Sequence, residues 1–131
     1  MNIVVDTSVI LAVIANEPEK EKLIQFTHGT DLIAPLSVHW EIGNAFSAMF
    51  KRKRVTLDQA LLAIQAYDNI PIRYVDIELT QSLEIAELLD IYAYDAYLIR
   101  CAVKYKSPLL SLDQGLVDVA RRMKLKIVEV K

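Results

Sequence analysis

The chain has 131 residues, is 53% hydrophobic and 24% charged, and carries a net charge of −2. That length suits one domain around one core, expected to take in residues 1–131, and a content of three glycines and four prolines excludes a disordered chain. One cysteine, Cys101, excludes an internal disulfide and a cysteine-based zinc site, so a reducing, cytoplasmic setting is expected. The uncharged stretches, such as Thr7 to Asn16, are too short to cross a bilayer, and Asp6 interrupts the first apolar run, so no signal peptide is expected. The mild acidity argues against a surface coated by nucleic acid but leaves room for a local basic patch.

Short apolar runs alternate with longer segments of helical period, the pattern of a parallel sheet covered by helices on both faces. In chain order, a strand is expected near Ile3–Asp6, then helices over Ser8–Ala15 and Glu19–Phe26. A strand near Leu32–Ala34 feeds a long helix over Val38–Lys53. The stretch "TLDQ" opens a helix over Leu57–Tyr67 as a capping box, with Thr56 as cap and Gln59 reaching back. A strand near Ile72–Val75 leads to helices over Leu79–Leu89 and Ala96–Tyr105. A strand near Pro108–Ser111, a helix over Gln114–Met123 and a strand over Ile127–Val130 bring the sheet to about five strands.

Four acids stand out against this frame. Asp6, in "NIVVDTSVIL", falls at a strand's carboxyl end, where open α/β sheets bind ligands. Asp is also a common helix cap, but Thr7 or Ser8 could cap instead and leave Asp6 free. Asp95, in "YDAYLIRCAVKY", shares a helix face with Leu98, Ile99 and Ala102, which puts a carboxylate on the stripe that faces the core. Its alternative reading is a first-turn acid favoured by the helix dipole. Glu41 borders the stripe made by Val38, Ile42, Ala45 and Met49, and taken alone it reads as a solvent-reaching residue. Asp113 follows the fourth strand as Asp6 follows the first, with Ser111 two residues earlier able to orient a neighbouring acid. Capping of the last helix is the competing reading for Asp113, and Asp118 reads as a surface acid.

Gathered in one crevice, two such carboxylates at about 5 Å and an effective dielectric of about 20 repel by roughly 3 kcal/mol. A cluster of this kind needs a cation, and hard oxygen donors without Cys or His select Mg²⁺ or Mn²⁺. A divalent ion there can activate water and stabilise phosphoryl displacement.

The segments "VVDTSVIL", "HWEIGNAF", "YDAYLIRCA" and "LLSLDQGL", in this order and spacing, resemble the PIN-domain ribonucleases, in particular the toxin component of virulence-associated toxin–antitoxin pairs. The resemblance implies an α/β/α sandwich with a metal-dependent endoribonuclease site. Asp6 and Asp95 would be the main Mg²⁺ ligands, Glu41 and Asp113 would complete the site, some through bound water, and Thr7 and Ser111 would be the accompanying hydroxyls. It also implies an RNA substrate, a homodimer and a small antitoxin that inserts into the crevice. Ser111 stands where the family usually has Thr, and "YLIRCA" where smaller residues are common.

Two basic runs, "KRKR" over Lys51, Arg52, Lys53 and Arg54 and "RRMKLK" over Arg121–Lys126, read either as solvated helix ends or as phosphate contacts for RNA. Arg100 points away from the Asp95 face. Trp40 lies opposite its helix's apolar stripe, and His28 and His39 are expected at the surface or an edge. A dehalogenase-like phosphatase would want a second Asp where Ser8 stands, and a receiver domain would want paired acids at its first strand and a lysine just after its last; neither pattern is clean. The competing function from another class is a catalytically inactive module that recruits RNA or a protein.

Overall fold

The computed structural model describes residues 1–130. Its elements run β1 (Asn2–Val5), α1 (Thr7–Ile14), α2 (Lys20–Thr27), β2 (Asp31–Pro35), α3 (Ser37–Lys51), α4 (Leu57–Asp68), β3 (Ile72–Val75), α5 (Leu79–Leu89), α6 (Ala93–Lys104), β4 (Leu109–Leu110) and α7 (Gln114–Arg122). Ile3, Val4 and Val5 are consecutive and all buried. Successive strand residues face opposite sides of a sheet, so three buried in a row require cover on both faces. Helices supply it: α1 packs on α2, α3 and α4, α5 packs on α6, and both α3 and α6 reach β2. The result is the expected α/β/α arrangement. Ile33, Val38, Ile42, Ile99 and Leu109 are among the largest fully buried side chains of its core.

The strands form one parallel sheet in the order β3-β2-β1-β4, with Val4 paired to Ile33 on one side and Leu109 on the other. The chain steps outward from β1 to β3, then returns to lay β4 on the opposite flank of β1. The strand order therefore reverses between β1 and β4, and the carboxyl ends there open the crevice in which such sheets hold ligands.

The helices match the expected ones closely, including the capping box at Thr56 and Gln59. The sheet differs at its edge. The strand expected over Ile127–Val130 is a single parallel bridge between Leu109 and Ile127, made by Leu109 N to Lys126 O and Val128 N to Leu109 O, each 2.9 Å. Its neighbour β4 is only two residues long, and Pro108 before it has no N–H to donate to a ladder. A ladder cannot extend beyond the strand it pairs with. Cys101 is fully buried and its thiol is pushed up to about 12 by burial, which makes it a packing residue and not a nucleophile.

Candidate active site

A parallel sheet puts all its carboxyl ends at one edge. Asp6 follows β1 there, and Ser111 and Asp113 follow β4. Helix α3 starts after β2, so Glu41 sits in its second turn near the same edge. Helix α6 leads back into the start of β4, which brings its own first turn, with Asp95, to the crevice.

Asp6 is 4% exposed and is the cap of α1, in place of Thr7 or Ser8: its Oδ1 accepts from Val9 N at 3.1 Å. The cap reading is therefore true of Asp6, and the cap leaves its carboxyl at the crevice between β1 and β4. Ser8 Oγ also donates to Oδ1, at 2.6 Å, and accepts from Leu112 N at 3.0 Å. Ser111 Oγ donates to Oδ2, at 2.5 Å, and accepts from Asp113 N at 2.9 Å. Two serines therefore clasp the ends of β1 and β4 around one carboxyl and fix both of its oxygens. Ser111 was legible as an orienting hydroxyl. Ser8 was read only as an alternative cap, although a hydroxyl two residues after an Asp is a usual turn partner. Asp113 caps α7 through Leu116 N at 3.3 Å, and its side chain is exposed at the mouth of the crevice.

The carboxyls influence one another. Burial raises the pKa of Asp6, and the charge of Asp113 adds to the rise against the hydrogen bonds from Ser111, Ser8 and Val9. Burial raises Glu41, and Asp6 and Asp95 push it further. The Thr7 hydroxyl opposes that rise, but Thr7 Oγ1 and Glu41 Oε1 lie outside hydrogen-bonding geometry and both are buried without a partner. Asp95 is raised by burial and then by Asp113. The repulsions link Asp6 to Asp113, Asp113 to Asp95, Asp95 to Glu41 and Glu41 to Asp6, a closed ring of like charge. The face argument made for Asp95 holds, since Leu98, Ile99 and Ala102 are buried beside it.

Next to this ring a cleft of about 520 Å³ is lined by Thr7, Ser37, Trp40, Glu41, Asn44, Ala45 and Tyr94. Among the described residues, the buried side-chain polar atoms without a hydrogen-bond partner are Thr7 Oγ1, Ser37 Oγ and Glu41 Oε1. All three belong to the walls of that cleft. Buried polar groups are normally satisfied, so three orphans on one wall point to a polar ligand. Ser37 carried no signal in the sequence beyond its place after a strand.

The donor set is oxygen throughout, and Glu41 Oε1 is an unpaired buried carboxylate oxygen, both of which fit a hard divalent cation. Among the described residues no three Asp, Glu, His or Cys side chains are drawn close enough to form a finished ligand cage.

The other singled-out residues lie elsewhere. Lys51 to Arg54 are exposed at the far end of α3, about 15 Å along the helix from Glu41 at 1.5 Å per residue. Arg100 turns to Glu78, as its helix face required. Asp118 is exposed and accepts from Gln114 Nε2 at 2.7 Å. His39, expected at the surface or an edge, is half-buried, and its Nδ1 lies 2.8 Å from the Tyr67 hydroxyl. Among the described residues no helix is long and apolar enough to cross a membrane.

With this geometry in hand, comparison with known proteins gives a consistent result. The family model for the PIN domain matches residues 3–122. The fold is similar to the crystal structure of PAE2754 from Pyrobaculum aerophilum, with a TM-score of 0.71 and 20% identity over 91% of this chain and 79% of that one. It is also similar to a chain in the crystal structure of VapBC2 from Rickettsia felis bound to a DNA fragment from their promoter, with a TM-score of 0.71 and 13% identity over 98% of each. Comparison with curated proteins finds no significant match.

Proposed function

This chain belongs to the PIN-domain family, and from that premise we propose that it is a Mg²⁺- or Mn²⁺-dependent endoribonuclease, the toxin of a toxin–antitoxin pair. The observation that carries the reading is the ring of acids that adjacent strands β1 and β4 and helices α3 and α6 bring to one edge of the sheet, beside an orphaned Glu41 oxygen. Such a ring is stable as a set of anions only with a cation to hold it.

Asp6 and Asp95 are the main ligands in this reading, with Glu41 and Asp113 completing the shell, some through water. A bound Mg²⁺ or Mn²⁺ would supply charge stabilisation to the phosphoryl oxygens and a water of lowered pKa. The protein's part is positional. Ser8 and Ser111 lock both oxygens of Asp6, so the carboxyl keeps its direction without reorganising during the reaction. Glu41, whose pKa is raised by burial and by the charges of Asp6 and Asp95, is the acid assigned in this reading to take a proton from the attacking water. Thr7, whose hydroxyl is also unpaired, borders the same space. Lys51 to Arg54 would steady the RNA backbone further along, at a distance that excludes them from the chemistry.

A small antitoxin, a homodimer and a cytoplasmic setting belong to the same proposal. The antitoxin is supported by the likeness to the Rickettsia felis VapBC2 structure, and the cytoplasmic setting by the single cysteine. The test is cleavage of single-stranded RNA by purified protein with Mn²⁺, with and without chelator. Metal-dependent cleavage that disappears in the Asp6→Asn, Asp95→Asn double variant is the expected result. Cleavage by that folded double variant at the wild-type rate sinks the proposal. Failure to bind Mn²⁺ at millimolar concentration, with no cleavage, favours an inactive RNA- or protein-recruiting module.

A further inference from the structure

We infer that the cleft beside Glu41 is a stacking subsite for one unpaired nucleobase, walled by Trp40 and Tyr94; the inference rests on the ribonuclease reading and names how its substrate is gripped. Trp40 immediately precedes Glu41 on α3, and Tyr94 immediately precedes Asp95 on α6. Two helices thus each bring an acid to the ring and an aromatic to the cleft's wall. Trp40 is 69% exposed and Tyr94 59%, so both rings hold large apolar faces in water. The cleft's volume of about 520 Å³ falls among pockets that enclose small ligands, about 300–1,000 Å³.

The rings are set before anything binds. His39 meets the Trp40 indole edge-on, with centroids 4.7 Å apart and planes at 77°. His39 is in turn held by Tyr67, whose hydroxyl bonds that of Tyr74. Tyr94 packs edge-on against Tyr97 at 6.0 Å. An aromatic braced in this way loses little freedom on stacking, which favours affinity.

The chemistry of the occupant follows from the lining. An apolar side chain would cover the two rings but leave the exposed Asn44 amide on the same wall unmatched. A nucleobase with its ribose offers a flat face for the rings together with donors and acceptors at its edges for that amide. A base inside a duplex is already stacked on its neighbours and cannot lie on Trp40, so the subsite takes an unpaired nucleotide. Base stacking tolerates any base, with strength set by the ring's area, so a purine is held more tightly than a pyrimidine.

Trp40 is the chain's only tryptophan, so its fluorescence reports on the subsite directly. Metal-free protein in chelator is titrated with short oligo(A), with oligo(U) and with an RNA duplex of equal length. Oligo(A) is expected to quench the emission, oligo(U) less, and the duplex not at all. Trp40→Ala is expected to raise the Kd of labelled oligo(A) and the KM for cleavage by about tenfold, within the range found for lost base stacking. Trp40→Phe restores most of the loss, and kcat moves far less than KM. Trp40 is exposed, so the variants keep the fold, and circular dichroism checks this. Equal quenching by the duplex, or an unchanged Kd in Trp40→Ala, overturns the subsite. Cleavage with an unchanged KM in Trp40→Ala leaves the ribonuclease reading standing and removes only the subsite. Quenching by oligo(A) in a protein that cleaves no RNA removes the ribonuclease reading and supports the subsite as a binding site.

Discussion

Glu78 and Glu41 both lie near the start of a helix, yet their surroundings drive them in opposite directions. Glu78 heads α5, with Lys104 at 2.6 Å and Arg100 at 2.8 Å. Lys104, then Arg100, holds its carboxyl down to about 2. Glu41 is held up by burial and by the charges of Asp6 and Asp95, and one of its oxygens has no partner at all. The same side chain is neutralised by the protein in one place and left for something else to neutralise in the other. An acid supplied with cations is a structural element; under the proposed nuclease reading, a ring of acids without them is where a cation would bind.

The most damaging way to break this contrast is to remove charge from the ring. Asp6→Asn or Asp95→Asn should lower RNA cleavage about a thousandfold or more, since several kcal/mol of charge stabilisation is lost at about 1.4 kcal/mol per decade. The melting temperature of metal-free Asp95→Asn should stay level or rise, because a repelling charge has gone, whereas Asp6→Asn also loses an acceptor for the Ser8 or Ser111 hydroxyl. Calorimetric melting beside an RNA cleavage assay checks both, and a variant that unfolds would assign these acids to stability instead.

The next effect comes from supplying the missing charge. Mn²⁺ at a hundred times its Kd should stabilise the protein by about 2.7 kcal/mol, or roughly 10 °C in a domain of this size. The Asp6→Asn, Asp95→Asn pair should lose that shift, and Glu78→Gln should keep it.

Titration sharpens the comparison further. The ring carboxyls have raised folded-state pKa values, so the folded form binds more protons than the unfolded form in the window just above the ordinary carboxylate values. Metal-free protein should therefore gain stability as pH falls through those raised values, and lose it as pH rises. Glu78 has the opposite sign. Its contribution is present above its ordinary value of 4.5 and is lost as pH falls toward about 2. Melting temperature against pH should accordingly rise below neutrality and then fall, and Asp6→Asn should flatten the rise.

The smallest effect is expected at Glu78 itself. Its pairs with Lys104 and Arg100 are partly exposed, and such pairs contribute little and are screened by salt. Glu78→Gln should lower the melting temperature slightly at low salt, remove the acid-side loss and leave RNA cleavage unchanged.

Much of this was legible from residue order alone. Helical and strand periods placed every helix and four of the strands, because the apolar residues that must be covered recur at the spacing of the element that covers them. The buried face of Asp95 followed from Leu98, Ile99 and Ala102 by the same periodicity. The ordered acids at strand ends pointed to the crevice before any coordinate. The fifth strand was misread because Ile127–Val130 has strand composition, while the length of its ladder depends on a two-residue neighbour far away in sequence.

What no local pattern carries is who meets whom across the chain. Asp6 and Ser111 are 105 residues apart, and only the return of β4 to the flank of β1 lets their side chains bond. Glu41 looked like a solvent-reaching residue by itself, and it became part of a ring only when α3 and α6 brought it toward Asp6 and Asp95. Sequence determined the elements, their buried faces and the residue types at their ends, because these depend on near neighbours. Tertiary structure decided which charges are shared, which polar atoms stay unpaired and where Trp40 stands relative to them, because repulsion and burial act through space and not along the chain.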